Sequence, residues 1–372
     1  MSKHPVVVYG ASGYTGRLVC EYLRELNVPF TAAGRSRARM QAVLDKVPGI
    51  ETATYDVVEV PHTTAALTEL LRGSQVVCNL AGPFIKYGPE VVAACHAAGV
   101  HYLDATGEQD WVLHARDKFG AQMAAKQLLL APGVAQMYTT GEIAAQICLE
   151  QPGLDTLDIL VLWKGFPTQA STQTIFTILA ADWFHLEHDK LVKWDPRAKA
   201  DVVVPGQHET AMVVPWGGTS HPIWFERDPR VHTVKAMGGV MNRNIMQGVE
   251  QVVALVEDKI KPLPREQWQP ELDKIAATQI GAMPPRENPR INTSVDSVYA
   301  TGPLGRAHCV IHGNSNYKQT GLLEAFAAYS LLKQPPRRVG FASACQAFGH
   351  RELLGVLRSF GLVLEPIVTR HG

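Results

Sequence analysis

The sequence predicts an α/β protein in which a doubly wound parallel sheet is followed by a second, mixed α/β domain. Apolar strand segments alternate with helical segments through the first third of the 372 residues, which is the order that gives a parallel sheet covered by helices. Pro and Gly interrupt the later segments, which favours an antiparallel or mixed sheet with long loops. A chain of this length is also expected to form two domains.

The first strand and the turn after it carry the most informative motif. An apolar run, Val6–Tyr9, leads into Gly10-x-x-Gly13-x-x-Gly16 and then into an apolar helical pattern. Such glycines allow a tight turn, close approach of the backbone to a pyrophosphate and close helix packing. The free N–H groups of the helix start favour phosphate binding. We therefore expect a Rossmann domain that binds a dinucleotide. The residues expected at this position are Gly10, Ser12, Gly13, Tyr14, Thr15 and Gly16.

The end of the second predicted strand indicates which dinucleotide is bound. Many NAD-binding folds place Asp or Glu here, where the carboxylate binds the ribose 2′-hydroxyl. This chain has Arg35, Ser36 and Arg37 instead. Guanidinium groups suit a 2′-phosphate, which a carboxylate would repel. We therefore predict NADP(H) rather than NAD(H), although the alternative is that Arg37 and Arg39 simply begin an exposed helix.

The next two strands are expected to complete the cofactor site. A third strand is predicted at residues 52–55, and Asp56 and Val57 after it are placed to line the adenine. A fourth strand, at residues 75–80, runs into a loop that would pass over the cofactor at the carboxyl edge of the sheet. The residues of that loop are Ala81, Gly82, Pro83 and Phe84. A helix is expected at residues 89–98, with Pro89 at its start, where the missing N–H does no harm.

Four motifs of the first third resemble the short branch of the saccharopine dehydrogenase-like oxidoreductase family, which includes the trans-acting enoyl reductases. They are the glycine motif at residues 10–16, the segment 33–36, the segment 79–88 and the segment 102–108. The resemblance implies a nucleotide-binding domain joined to a mixed α/β domain that serves substrate binding and dimerisation. We therefore expect a dinucleotide-binding domain at 1–135, a substrate-binding and dimerisation domain at 136–320, and helices at 321–372 that return to the first domain.

The second domain is predicted from its apolar segments and breakers. A strand is expected at 157–163 and a helix at 171–185 with Ser171 as its N-cap. The further expectations are short strands near 202–204, 212–216 and 223–225, a helix at 244–261, a surface excursion or lid at 261–290, paired strands at 292–300 and 306–312, and helices at 320–332 and 352–360.

Candidate catalytic groups are sought in the loops at the carboxyl ends of the strands, where the nicotinamide must lie. Tyr87 follows the loop after the fourth strand and could donate a proton, with Lys86 lowering its pKa. A packed loop aromatic is the alternative for Tyr87, and solvent exposure is the alternative for Lys86. Glu108, like Asp104, flanks Thr106-Gly107. Its alternative is a structural hydrogen bond to loop N–H groups.

The segment His185-Leu186-Glu187-His188-Asp189 is the one that suggests a metal site. Histidines three residues apart can share a helix face. A third, distant ligand is not identifiable, and a structural zinc site requires four. We therefore expect no metal.

The function that these residues favour is an NADP(H)-dependent oxidoreductase reducing a C=C or C=O bond of a small, largely apolar substrate. An opine-type or saccharopine-type imine reductase is the enzymatic alternative. It would need an arginine in the second domain to hold a carboxylate, and the candidates are Arg227, Arg230 and Arg243. A non-catalytic NADPH-binding sensor or scaffold is the other alternative, because a Rossmann fold does not by itself imply catalysis.

Composition limits the partners of the chain. It has 35 basic and 35 acidic residues and a formal net charge of +0, so no global field attracts nucleic acid or an anionic membrane. No apolar run is long enough to span a membrane. The start of the sequence leaves no room for a signal peptide, and the 6 cysteines lack C-x-x-C spacing, which favours a reducing cytoplasm. A small-molecule substrate is expected, and the resemblance implies a homodimer.

Overall fold

The computed structural model describes residues 4–216, 219–279 and 284–371. Their contacts divide the chain into two compact units. The first unit comprises the described residues of Met1–Thr106, Trp111–Thr139 and Tyr317–Phe360. The second unit comprises those of Gly107–Asp110, Thr140–Asn316 and Gly361–Gly372. The functional division predicted from the sequence, at residues 135 and 320, stays a prediction.

The described chain contains strands and helices in alternation over its first part. The strands are β1 (Val6–Tyr9), β2 (Phe30–Gly34), β3 (Tyr55–Glu59), β4 (Val76–Asn79), β5 (His101–Asp104), β6 (Leu129–Ala131), β7 (Thr156–Trp163), β8 (Phe184–Glu187), β9 (Lys190–Lys193), β10 (Ala200–Val203), β11 (Thr210–Val213), β12 (Thr233–Val240), β13 (Thr293–Gly302), β14 (Gly305–Asn314), β15 (Gly340–Phe341) and β16 (Ile367–His371).

The α-helices follow the same chain order. They are α1 (Tyr14–Glu25), α2 (Arg37–Leu44), α3 (Thr64–Leu71), α4 (Phe84–Ala98), α5 (Gln109–Ala125), α6 (Tyr138–Cys148), α7 (Gln169–Ala180), α8 (His221–Phe225), α9 (Arg243–Leu255), α10 (Arg265–Gln279), α11 (Asn316–Lys333), α12 (Ala344–Phe348) and α13 (His350–Ser359). A 3₁₀ turn covers Ile50–Thr52, and a π turn, Val256–Ile260, continues α9.

The first unit is built on a seven-stranded sheet in the order β15-β6-β5-β4-β1-β2-β3. Every pairing in this sheet is parallel. The chain order reverses between β1 and β4, which is the switch point where such sheets bind ligands. The doubly wound parallel sheet predicted from the sequence is therefore confirmed.

Burial explains why the strands of this sheet are apolar throughout. Val6, Val7 and Val8 of β1 are all 0% exposed, as expected for a parallel sheet covered on both faces. A core cluster on one side of the sheet joins β1 and β4 to the inner faces of α3, α4 and α5, with Leu67, Val91 and Trp111 among its members.

Two predicted boundaries in the first unit are wrong. The third strand is Tyr55–Glu59 rather than residues 52–55, so Asp56 and Val57 lie inside it. The helix expected to begin at Pro89 begins at Phe84, with Pro89 in its interior. Pro lacks the N–H that would bond back four residues, but the helix continues through it to an αL cap at Gly99.

The second unit contains a mixed seven-stranded sheet in the order β16-β14-β13-β7-β12-β8-β9. β7 and β12 are parallel, whereas β13 pairs antiparallel with both β7 and β14. The predicted hairpin is confirmed, with Gly302 opposite Gly305 at its turn. The small β10–β11 sheet, also predicted, packs on one face of the large sheet around Leu162, Val213 and Val295.

Several predictions for the second unit are wrong in type or extent. The helix predicted at 171–185 is α7, which begins after the N-cap Thr168 and ends at Ala180. The strand predicted at 223–225 is the helix α8, because a short apolar run cannot distinguish the two structures. The predicted lid at 261–290 contains the helix α10, whose Leu272 packs on Val256 and Ile260; residues 280–283 lie outside the described residues.

Gly88 in α4 supplies a test of the packing in the first unit. A Cβ at this position would overlap the indole ring of Trp111, which is 0% exposed. Gly88→Ala should destabilise the protein by about 1–3 kcal/mol, as overpacking does. Gly355→Ala in α13 is the matched control, since a Cβ there meets nothing within 4 Å, and it should stabilise by about 0.5–1 kcal/mol. Urea unfolding measures both, and equal effects would contradict the packing.

Candidate functional site

The glycine turn between β1 and α1 has the geometry that phosphate binding requires. Gly10 has φ of 89°, and a Cβ there would lie 2.8 Å from the Leu80 carbonyl carbon. A Cβ on Gly16 would overlap the Gly10 carbonyl oxygen. Gly13 is less confined, with 3.2 Å from its hypothetical Cβ to that same oxygen. The first and third glycines therefore close the turn, and Gly13 leaves its outer side open.

The start of α1 presents main-chain N–H groups from this turn. Its N-cap is Gly13, so no side chain caps the helix, and no acidic residue lies in the first turn. Ser12 and Thr15 are half-buried, whereas the Tyr14 ring is buried against Tyr317 at 5.1 Å between ring centroids. The Arg17 guanidinium lies 4.4 Å from the centroid of the Tyr14 ring. The start of α1 therefore offers uncapped main-chain N–H groups, and one guanidinium lies in its first turn.

The three residues after β2 are placed differently from one another. The exposed Arg35 has no hydrogen bond or ion pair with any described residue. The Arg37 guanidinium donates to the Val57 carbonyl, and its main-chain N–H donates to the Glu59 carboxylate at 2.9 Å. Ser36 is the N-cap of α2 and accepts from the Arg39 N–H at 3.3 Å. Arg35 is therefore the residue of this set that is available to a phosphate.

Tyr87, in α4, lies near the edge of the first sheet that β3 forms. Its ring is 5.0 Å from the His62 ring, edge to face, and His62 follows β3. The Tyr9 hydroxyl, at the end of β1, is 2.8 Å from His62 Nδ1. Burial raises the pKa of Tyr9, the Arg35 charge opposes that rise, and Tyr87 adds to it. Tyr9, Arg35, His62 and Tyr87 are therefore neighbours.

Three other predicted residues occupy less central positions. Lys86 is exposed, with Nζ 5.2 Å from the Tyr87 ring centroid. Asp56 lies in the first half of β3, and its Oδ2 is 3.4 Å from Nε2 of His4, which precedes β1. The carboxylate is therefore directed towards the amino edge of the sheet. Val57 is buried within the strand. His62 follows the end of β3 and was missed, because the predicted strand ended four residues too early.

The loop after β4 is fixed by main-chain contacts. The Leu80 N–H donates to the Tyr9 carbonyl at 2.7 Å, and the Ala81 N–H donates to Asn79 Oδ1 at 3.2 Å. Ala81, Gly82 and Pro83 are half-buried, and Phe84 is buried as the first residue of α4. These contacts place the start of the loop directly beside Gly10, and its predicted role as a cover over the cofactor stays a prediction.

Asp104 organises the ends of β5 and β6 from inside the first unit. Its carboxylate is 0% exposed and accepts from the Tyr102 hydroxyl at 2.7 Å and the Trp111 Nε1–H at 2.8 Å. It also accepts from the main-chain N–H groups of Thr106 at 2.9 Å and Gly133 at 3.0 Å. Burial raises the pKa of Asp104 to about 6, although these hydrogen bonds oppose the rise. Asp104 therefore makes the structural hydrogen bonds to loop N–H groups that the sequence offers as the alternative to a catalytic role.

Glu324 is a second buried carboxyl group near Asp104. It lies in α11 and is 0% exposed. Burial raises the pKa of Glu324 well above its usual value, the Asp104 charge adds to the rise, and the Cys78 thiol opposes it. Glu324 stands among Leu322, Leu323 and Ala325, and this acid within an apolar stretch was the one signal by which the sequence could have revealed it.

Glu108 and Gln109 belong to the second unit. Glu108 is 0% exposed, and its predicted catalytic role stays a prediction. The Gln109 side-chain amide donates to the Phe184 carbonyl at 3.0 Å and accepts from the Phe184 N–H at 2.8 Å. It also donates to the Thr219 carbonyl at 2.9 Å. Gln109 therefore fixes the backbone at two distant points of this unit.

Two of the three arginines that could hold a carboxylate in an imine reductase are paired with aspartates. Arg230 donates to Asp228 Oδ2 at 2.7 Å and to Gln146 Oε1 at 2.9 Å. Arg243 donates to Asp201 Oδ1 at 2.8 Å. Arg227 is exposed. The described second unit therefore shows no buried arginine fork prepared for a carboxylate.

The segment considered for a metal is not a helix. His185 lies in β8, and His188 lies in the turn after it with φ of 49°. The two histidines therefore do not share a helix face. Within residues 4–216, 219–279 and 284–371, no group of three His, Cys, Asp or Glu side chains is arranged to hold a metal ion. None of the helices described there is both long and apolar enough to cross a membrane.

Two family models match the chain. Residues 6–125 match the model described as Saccharopine dehydrogenase NADP binding domain, which confirms the resemblance inferred from the sequence motifs. Residues 139–372 match the model described as Family of unknown function (DUF5938). The second match covers most of the chain, and it carries no stated activity.

Named relatives are similar to the first part of the chain. A trans-acting enoyl reductase of Mycobacterium ulcerans is 36% identical over 121 residues, which are 32% of this chain and 29% of that protein. A lipid droplet localized protein of Caenorhabditis elegans is 35% identical, over 33% of this chain and 30% of that one. A human saccharopine dehydrogenase-like oxidoreductase is 31% identical, over 32% of each. The chain thus spans less than a third of the length of these relatives.

The hydrogen bonds of Asp104 give a direct prediction. Asp104→Asn should destabilise the protein by about 3 kcal/mol, because an amide NH₂ would face donors that need an acceptor. Asp117→Asn is the matched control, since Asp117 is exposed on α5, and it should change stability by less than about 0.5 kcal/mol. Urea unfolding at pH 7.5 measures both variants. An Asp104→Asn protein as stable as the control would show that the four contacts do not support the fold.

Proposed function

This chain belongs to the Family of unknown function (DUF5938), and we propose that it is an NADP(H)-dependent oxidoreductase. The observation that carries the proposal is the glycine turn of the first unit together with Arg35. An uncapped helix start follows the turn, and the Arg35 guanidinium at the end of the neighbouring strand has no hydrogen bond or ion pair with the residues that the structure describes. These two features match the two anionic ends of the adenosine part of NADP(H), the pyrophosphate and the 2′-phosphate.

The adenosine end is proposed to lie among Arg35, His62 and Tyr87. A dinucleotide crosses the switch point with its adenosine over the strands that follow β1, which here are β2 and β3. Tyr87 contacts His62, which lies three residues after the end of β3. We therefore infer that Tyr87, with Lys86 beside it, borders the adenosine, although the sequence predicts Tyr87 as a proton donor to the substrate.

The substrate is proposed to be a small, largely apolar compound with a C=C or C=O bond. Support comes from the relative named as an enoyl reductase and from the absence of Lys and Arg among the buried side chains that the structure describes. An imine reductase acting on amino acids is less well supported, because Arg230 and Arg243 are paired with Asp228 and Asp201. A non-catalytic NADPH sensor, a homodimer and a cytoplasmic location stay predictions of the sequence.

Arg35→Ala tests the cofactor proposal. Loss of one charge-assisted contact to the 2′-phosphate should weaken NADPH binding by about 10- to 100-fold and leave the weaker NADH binding unchanged. Fluorescence titration of the purified chain with each nucleotide measures both constants. Arg39→Ala is the matched control, since Arg39 is an exposed arginine of the same helix start, and it should bind as the wild type does.

Each unfavourable outcome of that titration has a separate meaning. Equal affinity for NADPH and NADH, unaffected by Arg35→Ala, would contradict the 2′-phosphate assignment. Failure to bind either nucleotide would contradict the oxidoreductase proposal as a whole. Binding without oxidation of NADPH by any enone, ketone or imine would favour the non-catalytic sensor.

Tyr87→Phe separates the two roles proposed for Tyr87. If Tyr87 borders the adenosine, the maximal rate of NADPH oxidation should be unchanged and the NADPH concentration for half-maximal rate should rise slightly. If Tyr87 is the proton donor, the maximal rate should fall by about 10²- to 10⁴-fold. Steady-state kinetics with saturating substrate measure this. Lys86→Met, which removes the neighbouring exposed charge, controls for changes in local electrostatics.

A further inference from the structure

Three strand ends bring aromatic and basic side chains together at the carboxyl edge of the first sheet. Tyr9 ends β1, Arg35 directly follows β2, and His62 lies three residues after β3. The strands β2 and β3 stay paired up to this point, since the Val60 N–H donates to the Gly34 carbonyl at 2.9 Å. In dinucleotide-binding sheets the adenosine ribose lies at the end of the second strand. We therefore expect its 2′-phosphate beside Arg35 and His62.

Tyr9 links His62 to Arg35. Its hydroxyl oxygen is 2.8 Å from His62 Nδ1, and the two rings are stacked, with 5.9 Å between their centroids. Burial raises the pKa of this hydroxyl, and the Arg35 charge opposes the rise. Arg35 therefore lies near enough to act on the hydroxyl group that His62 contacts, and the two basic side chains are neighbours of one phenol.

Glu90 of α4 faces the other nitrogen of the His62 imidazole. Its Oε2 is 3.6 Å from His62 Nε2, which is an ion-pair distance. A carboxylate on this side favours the tautomer with the proton on Nε2, which leaves Nδ1 to accept from the Tyr9 hydroxyl. The side chain of His62 is 18% exposed and that of Glu90 is 42% exposed. Solvent therefore reaches the pair, and His62 can gain a proton without any opening of the fold.

The charges around His62 are of both signs. On neighbouring segments, the Glu59 carboxylate accepts from the Arg37 N–H at 2.9 Å, and Glu69 of α3 pairs with Arg72 at 3.0 Å. The titratable and charged groups that the packed elements bring to His62 are Tyr9 of β1, Arg35 after β2, and Tyr87 and Glu90 of α4, with Lys86 exposed beside the Tyr87 ring. While the imidazole is neutral, the Glu90 carboxylate opposes the binding of an anion here.

We propose that His62 is a second cation of the 2′-phosphate site and acts only when its imidazole is protonated. The proposal rests on the proposed NADP(H) function and adds its regulation: the preference for NADP(H) over NAD(H) rises as the pH falls. Protonation compensates the Glu90 charge. It also makes Nδ1 a donor, so that the Tyr9 hydroxyl no longer gives its hydrogen to His62. Both changes favour a phosphate beside Arg35.

His62→Gln tests the proposal, because glutamine can hydrogen-bond to Tyr9 but does not take up a proton. The probe is adenosine 2′,5′-bisphosphate, and calorimetry gives its dissociation constant at pH 5.5 and pH 8. Because a phosphate monoester itself titrates at about pH 6, the two proteins are compared with each other at each pH. The wild type should bind about 3- to 10-fold more tightly than the variant at pH 5.5, and the two should bind equally at pH 8.

One variant and one ligand serve as controls. His4→Gln removes an imidazole that also faces a carboxylate, that of Asp56 at 3.4 Å, but His4 precedes β1 and lies at the amino edge of the same sheet. This variant should bind the bisphosphate as the wild type does at both pH values. The control ligand is 5′-AMP, which lacks the 2′-phosphate, and its affinity should be the same for the wild type and His62→Gln.

A second measurement observes His62 directly. The NMR signal of its Cε1–H group, identified by its loss in His62→Gln, can be followed as the pH is raised. Binding and protonation are coupled reciprocally. Saturating adenosine 2′,5′-bisphosphate should therefore keep His62 protonated to a pH higher by about 0.5–1 unit, which corresponds to the same 3- to 10-fold factor.

The outcomes separate this proposal from the proposed function. If the wild type binds the bisphosphate with the same pH dependence as His62→Gln, and the His62 signal does not respond to it, the role of His62 is overturned and the NADP(H) function stands. A variant that binds more weakly by one factor at both pH values would show a packing role, which also overturns the proposal. A wild type that binds neither the bisphosphate nor NADPH at any pH would overturn the function, and this proposal with it.

Discussion

The buried carboxylate of Asp104 is the interaction on which the carboxyl edge of the first sheet depends. It joins a strand residue, Tyr102, to the helix residue Trp111, and it holds the loop N–H groups of Thr106 and Gly133 at the ends of β5 and β6. Glu324 adds a second acid nearby. Because two close carboxylates cannot both ionise without a large cost, the charge state of this edge is set within the core rather than by solvent.

Much of the first unit could be predicted from its sequence, since strand, glycine turn and helix follow one another with strong local signals. The turn geometry at Gly10 and Gly16 shows why these positions exclude a side chain. The second unit was less predictable. A three-residue apolar run such as Ile223–Phe225 fits either a helix or a strand, and only packing decides that it belongs to α8.

The site residues likewise differ in how far the sequence could predict them. Arg35 was predicted because its position follows from the end of a strand, and the structure leaves it available. The contact of Tyr87 with His62 depends instead on how α4 packs against the residues after β3, which no local pattern encodes.

The cysteines give the two units separate built-in reporters. Cys20, Cys78, Cys95 and Cys345 lie in the first unit and Cys148 and Cys309 in the second, and all are buried and form no disulfide. Burial raises the pKa of the Cys20, Cys78 and Cys95 thiols, so they react only after the surrounding structure opens. The rate of thiol labelling, read residue by residue in a mass spectrum, would therefore measure the opening of each unit in the unmodified chain.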